Sequence, residues 1–472
     1  MTTSTLAPNH PSEPSPLPVY DILTIGFGTT ALSLAANLAS TNPQSPPTTL
    51  HLETKPQSAW SPGPSLPSAH MSTSFISDLV TSNNPRSKYT FVNFLSARNL
   101  LVDYTNLGRV QPSRELVRAY LRWCGEELIR DGAEVRFGYE VVGVEALKGN
   151  SGAVEAFKVL ARAGEGVVKE WRARKVVYAM GVRLFIPPTL SDSGVRGAVV
   201  HAAELREELE KRDKEGWKGR DVAVVGGGQH AAEVTEYLNS KVPRYKVTIL
   251  MEERHFRADE DTAFTTTTLQ TPHALYPPEL IRGRVLHEST PYPTASAPLL
   301  DSLYEAQYNQ RIPSRQNPNR TSTTRFFSST TVTGARRDNN GKIILSTTSD
   351  GRASEEAFDL VVSATGYRRH NYGALFAGLT SILDGIVSVN CDYAVNFRRG
   401  VLQEGCGVWV LGMLGGKGED DVDDALFRIL CERSRRVVAS MFGDERVVKG
   451  KQSEVKTVKS KEAVRIEDQA RL

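Results

Sequence analysis

The sequence has few cysteines and no long apolar run. Its four cysteines, Cys124, Cys391, Cys406 and Cys431, form no Cys-x-x-Cys pair, so we expect free thiols rather than a disulfide framework or a zinc site of that spacing. No apolar run reaches the roughly 18 residues that a membrane-spanning helix needs. Segment 1–18 lacks a basic region followed by an apolar one. We therefore expect no secretory signal there, and its Pro/Ser-rich composition predicts disorder.

The charge balance and the histidine pattern exclude further classes of function. The chain has 57 basic and 54 acidic residues, a net charge of +3, which is too small to indicate nucleic acid or a membrane surface as the main partner. Its nine histidines include no His-x-x-x-His pair, so we expect no metal site of that kind. No Gly-x-Ser-x-Gly elbow follows a strand, which argues against hydrolase chemistry.

A strand, a glycine turn and a helix follow the N-terminal segment. Residues 22–25 predict a buried strand that leads into Gly26-x-Gly28-x-x-Ala31 and an Ala/Leu-rich helix. Gly26 allows the tight turn, Gly28 lets the backbone approach a pyrophosphate, and Ala31 keeps helix and strand close. Glu53 ends the next strand, where an acid accepts a hydrogen bond from a ribose hydroxyl. This combination predicts a dinucleotide site.

A second unit of the same kind lies about 200 residues further on. It reads Gly226-x-Gly228-x-x-Ala231, again between a predicted strand and a predicted helix. Two such units in one chain indicate a flavin and a nicotinamide dinucleotide that work together.

The residues after the second strand of this unit leave the nicotinamide coenzyme open. An acid here selects a free ribose diol, whereas a cation selects a 2′-phosphate. Glu252 and Glu253 come first, and Arg254 and Arg257 follow. Either Arg254 binds the phosphate of NADPH, or these four residues form a solvated edge.

The remaining segments predict the framework around the two units. A helix is expected from Arg114, and antiparallel strands are expected within 134–147 and 154–164. Residues 259–335 are rich in Thr, Pro, Ser and Asn, which predicts an insertion or partial disorder. An amphipathic helix is expected over 423–442.

Six blocks of the sequence resemble one known family. In chain order they are "IGFGTTALSLA", "LETKPQSAWSPG", "MSTSFISDLVTSNNPRSKYTFVNFL", "NLGRVQPSRELVRAYLRWC", "VAVVGGGQHAAE" and "DLVVSATGY". Their order and spacing resemble the flavin-dependent N-hydroxylating monooxygenases, in particular the fungal L-ornithine N5-monooxygenases of siderophore biosynthesis. The resemblance extends from about residue 19 to residue 442.

The resemblance implies an α/β fold with two Rossmann-like dinucleotide-binding domains, for FAD and NAD(P)H, and a small substrate-side insertion. The predicted divisions are a disordered segment 1–18, FAD-binding parts 19–200 and 369–447, NAD(P)H-binding parts 201–258 and 317–368, an insertion 259–316 and a charged tail 448–472.

The resemblance also implies a mechanism. FAD is reduced by NADPH, with NADH as the alternative donor, and takes O₂ to give a C4a-hydroperoxide. The distal oxygen then passes to an unprotonated amine of an amino acid or a related small molecule. The cofactor supplies the chemistry while the protein excludes water and positions the amine.

Individual residues can be matched to roles within the family pattern. Arg114 is the implied catalytic residue near flavin and nicotinamide. The residues implied to bind cofactors are Gly26, Gly28, Ala31, Glu53, Trp60, Met71, Gly226, Gly228, Gln229, Glu233 and, as the coenzyme alternative above, Arg254.

The implied substrate positions depart from the family pattern. The ornithine enzymes have approximately Met-Gln-x-Ser-Phe-x-Lys-Asp-Leu in the third block, and the Lys grips the substrate carboxylate. Here Ser72 and Ser77 replace the Gln and the Lys, and Thr266 replaces an Asn that holds the amino acid. A buried carboxylate without its cation would cost several kcal/mol. We therefore predict an altered substrate pocket.

Two alternatives to this reading stay open. The chain could be a true L-ornithine N5-monooxygenase, or a flavoprotein NAD(P)H oxidase that no longer couples NAD(P)H oxidation to hydroxylation.

The expected location is cytoplasmic, with a peroxisomal alternative because Ala470-Arg471-Leu472 resembles the Ser-Lys-Leu address. The family resemblance implies a homo-oligomer, with a tetramer as its usual form.

Overall fold

A computed structural model gives the fold. It describes residues 17–41, 46–56, 66–71, 73–164, 166–191, 193–195, 197–241, 244–258, 294–316, 323–369, 372–385, 387–390, 392–411 and 429–443. The helices are α1 Thr29–Thr41, α2 Phe91–Ala97, α3 Leu101–Asn106, α4 Arg114–Arg130, α5 Leu205–Lys214, α6 Gln229–Asn239, α7 Ala297–Gln316, α8 Gly373–Phe376 and α9 Leu430–Phe442.

The strands alternate with these helices. In chain order they are β1 Val19–Ile25, β2 Thr49–Glu53, β3 Glu134–Phe137, β4 Tyr139–Lys148, β5 Val154–Ala163, β6 Val167–Tyr178, β7 Val182–Leu184, β8 Val199–His201, β9 Asp221–Val225, β10 Lys246–Leu250, β11 Arg257–Ala258, β12 Thr294–Ala295, β13 Thr324–Phe327, β14 Thr330–Arg337, β15 Ile343–Ser349, β16 Arg352–Phe358, β17 Leu360–Ser363, β18 Tyr367–Arg369 and β19 Gly407–Val410.

The first sheet has the order β3-β2-β1-β6-β5-β4, and β19 also pairs with β6. β1 is parallel to β2 and to the C-terminal part of β6, while β5 is antiparallel to β4 and β6. The end of β1 is fully buried because the sheet is covered on both faces, as parallel strands require. α1 packs on α4 and α9 at one of these faces.

The second sheet is parallel throughout, with the order β13-β10-β9-β17-β8. An antiparallel sheet of β14, β15 and β16 lies beside it. Both predicted strand–turn–helix–strand units are therefore confirmed, one in each of these two sheets.

One prediction of local structure needs correction. The segment 134–147 is not one antiparallel strand: Gly138 has a φ of +78° and breaks it, so β3 runs parallel to β2 and only β4 is antiparallel. Within segment 259–335, predicted as an insertion or partly disordered, the described part contains α7 and β13, and residues 259–293 lie outside the described residues. Of the helix expected over 423–442, the described part is α9.

Two short crossover segments connect the parallel sheets. β7 follows β6 of the first sheet, β18 follows β17 of the second, and the two strands pair antiparallel. The Thr365 hydroxyl donates to the Phe185 carbonyl at 2.7 Å, and the His201 ring nitrogen Nε2 donates to the Gly366 carbonyl at 2.9 Å. The chain thus passes between the sheets twice at one place.

The loop between residues 78 and 91 depends on a buried carboxylate. Asp78, 2% exposed, accepts hydrogen bonds from the backbone N–H groups of Val80, Thr81 and Phe91 and from the Thr81 hydroxyl. Burial raises the pKa of Asp78, and these four donors oppose the rise. One side chain therefore organises the loop that leads to α2.

We predict that Asp78→Ala lowers the free energy of unfolding by about 2–4 kcal/mol, since it leaves buried backbone donors without an acceptor. Asp103→Ala is the control, because Asp103 is exposed in the first turn of α3 and its removal costs under about 1 kcal/mol. Urea unfolding followed by circular dichroism measures both. Equal losses in the two variants would contradict this role of Asp78.

Candidate active site

The first glycine turn is shaped by close backbone contacts on one side and is open on the other. The Gly26 N–H donates to the Leu52 carbonyl at 2.7 Å, and its φ is +99°. A Cβ at Gly26 would lie 2.7 Å from the Ala179 carbonyl oxygen, whereas a Cβ at Gly28 would meet no atom of the described residues within 4 Å. Gly26 is thus required by the fold, while the space beside Gly28 is free for a ligand.

Glu53 holds this turn from the end of β2. Its Oε2 atom accepts the Phe27 N–H at 2.7 Å, and its Oε1 atom accepts the Lys55 N–H at 2.9 Å. Ala31 is fully buried in the core beneath the turn. The sequence-predicted residues of the first unit therefore come together at one sheet edge.

The second glycine turn repeats this geometry. The Gly226 N–H donates to the Leu250 carbonyl at 2.9 Å, its φ is +135°, and a Cβ there would lie 2.6 Å from the Ala364 carbonyl oxygen. A Cβ at Gly228 would again meet nothing within 4 Å among the described residues. Ala179 and Ala364 thus play matching parts in the two units.

Both turns offer a place for a pyrophosphate. α1 and α6 carry no acidic residue in their first turn, so the positive ends of their dipoles are left for an anion. The open space at each second glycine lies at these helix ends. This arrangement fits two dinucleotides, with Glu53 placed where it can accept from a ribose hydroxyl.

A buried ion pair joins α4 to α6 of the second unit. The Arg114 Nη2 atom, at the start of α4, lies 2.8 Å from the Glu233 Oε1 atom on α6. Gln229 Nε2 donates to the same oxygen at 2.7 Å, and the Gln229 Oε1 atom accepts the Ser296 N–H at 2.7 Å. Three residues that the sequence predicts separately thus form one polar network, which extends to the segment before α7.

This network has unused hydrogen-bonding capacity. Arg114 Nη1 and Glu233 Oε2 are buried and have no hydrogen-bond partner among the described residues. Burial raises the pKa of Glu233, and the charge of Arg114 opposes the rise. A buried cation with a vacant donor beside the helix of the second glycine turn is suited to bind an electron-rich group of a ligand.

A histidine pair beside the network, His201 and His230, was missed from the sequence, where the histidine pattern indicated only the lack of a His-x-x-x-His metal site. Burial and the nearby Arg114 charge lower the pKa of His230 to about 3. Tyr367 lies between the two histidines, with ring centroids 5.7 Å from His230 and 5.2 Å from His201. Only the fold brings these rings together, because residues 201, 230 and 367 belong to separate strands and a helix.

The wall next to Arg114 comes from the segment around Met71. The Met71 N–H donates to the Pro112 carbonyl and the Arg114 N–H to the Ala69 carbonyl, both at 2.9 Å. Met71 is half-buried against the hydrophobic core that α1, α4 and α9 share. Ser77, further along the same segment, is 5% exposed.

Several predicted site residues lie away from this geometry or outside the described residues. Trp60, Ser72 and Thr266 lie outside the described residues. Arg254 follows β10, and its side chain is exposed on the surface. Their roles stay predictions.

Two sheets, each with an open glycine turn, and a buried ion pair between α4 and α6 define an oxidoreductase with two dinucleotide sites. Comparison with known proteins narrows this class. The model of the L-lysine 6-monooxygenase/L-ornithine 5-monooxygenase family matches residues 18–369. The chain therefore belongs to this family of flavin-dependent N-monooxygenases.

Individual relatives agree with that membership. The chain is 29% identical to the L-ornithine N(5)-monooxygenase of Ajellomyces capsulatus, over 90% of this chain and 91% of that protein. It is 30% identical to the L-ornithine N(5)-oxygenase of Arthrobotrys oligospora, with 90% and 88% covered. Among solved structures, the ornithine N-hydroxylase of Kutzneria sp. 744 with reduced FAD, NADP⁺ and L-ornithine superposes with a TM-score of 0.77 at 26% identity, covering 90% of this chain and 99% of that one.

We predict that Gly28→Val folds normally but loses at least tenfold in FAD affinity, because the new side chain fills space that the protein leaves open. Gly334→Val is the matched control: a Cβ at Gly334 in β14 also meets nothing within 4 Å of the described residues. Flavin content after purification and FAD titration by fluorescence measure the effect. Stoichiometric flavin in Gly28→Val would contradict the assignment of this turn.

Proposed function

We propose that this chain hydroxylates the primary amine of an amino acid or related small molecule, with FAD, NADPH and O₂. Family membership and the NADP⁺-bound Kutzneria relative support these cofactors. The observation that carries the proposal is the Arg114–Glu233 pair, which links α4, packed beside α1 of the first unit, to α6 of the second unit. When bound, the flavin supplies the activation of oxygen and the nicotinamide supplies the hydride.

The residues of the chain bind, orient and exclude water in this proposal. Gly28 and Gly228 admit the two pyrophosphates, and Glu53 accepts from a ribose hydroxyl. Arg114 is held by Glu233 so that its free Nη1 atom donates to a ligand. Met71 and the buried wall that follows it shield this place from solvent.

The amine reacts in its unprotonated form, so a neutral environment at the pocket favours the reaction. The lowered pKa keeps His230 neutral across the physiological range. A neutral imidazole adds no charge to repel a cationic amine and can accept a hydrogen bond. The proposed reaction requires no protein nucleophile, and a neutral environment is compatible with this.

The altered pocket is the finer part of the proposal. Ser77 is buried and carries no charge, whereas the resemblance implies a lysine at this position in ornithine enzymes. The neighbouring Asp78 is a buried acid. A substrate carboxylate at this wall would meet no cation from residues 77 and 78, which disfavours an amino-acid carboxylate there.

L-ornithine is the second candidate substrate. The relatives from Ajellomyces capsulatus and Arthrobotrys oligospora are ornithine enzymes, and this chain matches them over nearly their whole length. The pair L-ornithine and 1,4-diaminobutane separates the two proposals, since they differ only in the carboxylate.

We predict that 1,4-diaminobutane equals or exceeds L-ornithine in kcat/KM for hydroxylamine formation. Ser77→Lys should raise kcat/KM for L-ornithine at least tenfold, because the new cation pairs with the carboxylate, and should leave 1,4-diaminobutane without this gain. Ser77→Met, which has similar length and no charge, is the control.

A tenfold or greater preference of the unaltered enzyme for L-ornithine would overturn the altered pocket and leave N-hydroxylation intact. Stoichiometric peroxide without hydroxylamine from any amine tested would overturn N-hydroxylation itself. Coupled measurement of NADPH oxidation, peroxide and hydroxylamine distinguishes these outcomes.

A further inference from the structure

The helix of the first glycine turn carries polar side chains along one of its sides. Thr30, Ser33, Asn37 and Ser40 follow one another in α1 at spacings of three or four residues, so they lie on the same side of the helix. Ser33 and Asn37 are fully buried. Because the buried side of a helix is normally apolar, this polar stripe of α1 is not explained by burial alone.

The polar stripe holds the neighbouring loop by three hydrogen bonds. The Ser33 hydroxyl donates to the Leu79 carbonyl at 2.8 Å, and the Asn37 Nδ2 atom donates to the same carbonyl at 3.0 Å. The Asn83 Nδ2 atom donates to the Asn37 Oδ1 atom at 2.7 Å. The backbone of the loop is therefore attached to α1 directly and not by apolar packing alone.

Leu79 is also held from its other side. Its N–H donates to the Tyr120 hydroxyl of α4 at 3.3 Å, and that hydroxyl donates to the Tyr89 carbonyl at 2.8 Å. Leu79 and Tyr120 are both fully buried. The two peptide groups of Leu79 are thus fixed between α1, which begins at the first glycine turn, and α4, which begins with Arg114.

The Asn37 amide uses its hydrogen-bonding groups within this contact. Its Nδ2 atom donates to the Ser33 and Leu79 carbonyls, and its Oδ1 atom accepts from Asn83. An amide without such partners is costly to bury, whereas a leucine of similar size would fill the space without needing them. A satisfied polar contact in a core favours one register between the elements that it joins, so we infer that Asn37 serves to place the loop.

The placed loop includes a position that matters for the proposed function. Ser77 lies two residues before Leu79 and is buried. Oxygen transfer depends on the distance between the amine and the flavin, and a misplacement of about 1 Å can cost about 100-fold in rate. A site on a loop is precise when a rigid element supports it. α1 suits this task, since Asn37 lies only about 13 Å along the helix from Gly28.

We propose that Ser33 and Asn37 are positioning residues for the amine site. They hold the Leu79 carbonyl and thereby set the segment that contains Ser77 relative to the helix that binds FAD. Neither residue contacts the amine in this proposal. The inference rests on the proposed function in one respect, which is that the amine binds beside the segment that contains Ser77.

The structural test compares Asn37→Leu with the matched control Thr235→Val in the FAD-loaded full chain. Thr235 is also fully buried on a helix that begins at a glycine turn, but its hydroxyl donates within its own helix, to the Ala231 carbonyl at 2.7 Å. Hydrogen exchange detected by mass spectrometry follows the amides of residues 79–84. We expect at least fivefold faster exchange in Asn37→Leu and less than twofold in Thr235→Val. Unaltered exchange in Asn37→Leu would overturn the proposal.

The kinetic test separates positioning from a general loss of stability. For the better substrate of L-ornithine and 1,4-diaminobutane, Asn37→Leu should lower kcat/KM for hydroxylamine formation at least fivefold. Flavin content and the rate of anaerobic flavin reduction by NADPH without amine should change less than twofold. The double variant Asn37→Leu/Asn83→Leu replaces both partners by apolar side chains, so it should melt at a higher temperature than Asn37→Leu and keep the lowered kcat/KM.

The remaining outcomes distinguish this inference from the proposed function. Recovery of kcat/KM in the double variant, or faster exchange in Asn37→Leu with an unaltered kcat/KM, would overturn the inference and leave N-hydroxylation intact. An unaltered chain that hydroxylates none of the amines tested would overturn the proposed function and, with it, the positioning role of Ser33 and Asn37 toward an amine.

Discussion

The arrangement of the site depends on the buried ion pair between Arg114 and Glu233. Burying two charges costs several kcal/mol for each ion, and this cost is recovered only when geometry and further hydrogen bonds are favourable. Here the side chain of Glu233 is 1% exposed and that of Arg114 is 11% exposed, and Gln229 adds a second donor to the carboxylate. A pair that is costly to bury and leaves two polar atoms unused is better explained by function than by stability.

The two halves that this pair connects are built alike. In each, a first glycine touches the backbone of an alanine at the end of a neighbouring strand, and a second glycine faces open space. The repeated geometry follows from one requirement, since a pyrophosphate can reach a helix N-terminus only where no side chain intervenes. The crossover segments connect the two sheets through the pairing of β7 with β18, and the Arg114–Glu233 pair adds a buried contact between α4 and α6.

Local patterns predicted much of the fold, because each glycine unit combines a buried strand, a turn and a helix within about 30 residues. Gly26, Gly28, Glu53, Gly226 and Gly228 could be identified in this way. The Arg114–Glu233 contact could not, since it joins residues 119 positions apart in sequence (233 − 114). The parallel pairing of β3 was missed for a related reason: alternation predicts a strand, but not the direction of its partner.

The central claim is that the Arg114–Glu233 pair positions the two nucleotide turns for hydride transfer. The most direct measurement compares Arg114→Met, Glu233→Leu and the double variant by urea unfolding and by anaerobic flavin reduction. Each single variant should lose about 3–5 kcal/mol of stability, while the double variant recovers most of it, because an apolar pair replaces the buried charges. We predict that the double variant still reduces its flavin at least 100-fold more slowly than the unaltered enzyme. A stable double variant with full flavin content and an unaltered reduction rate would contradict the claim.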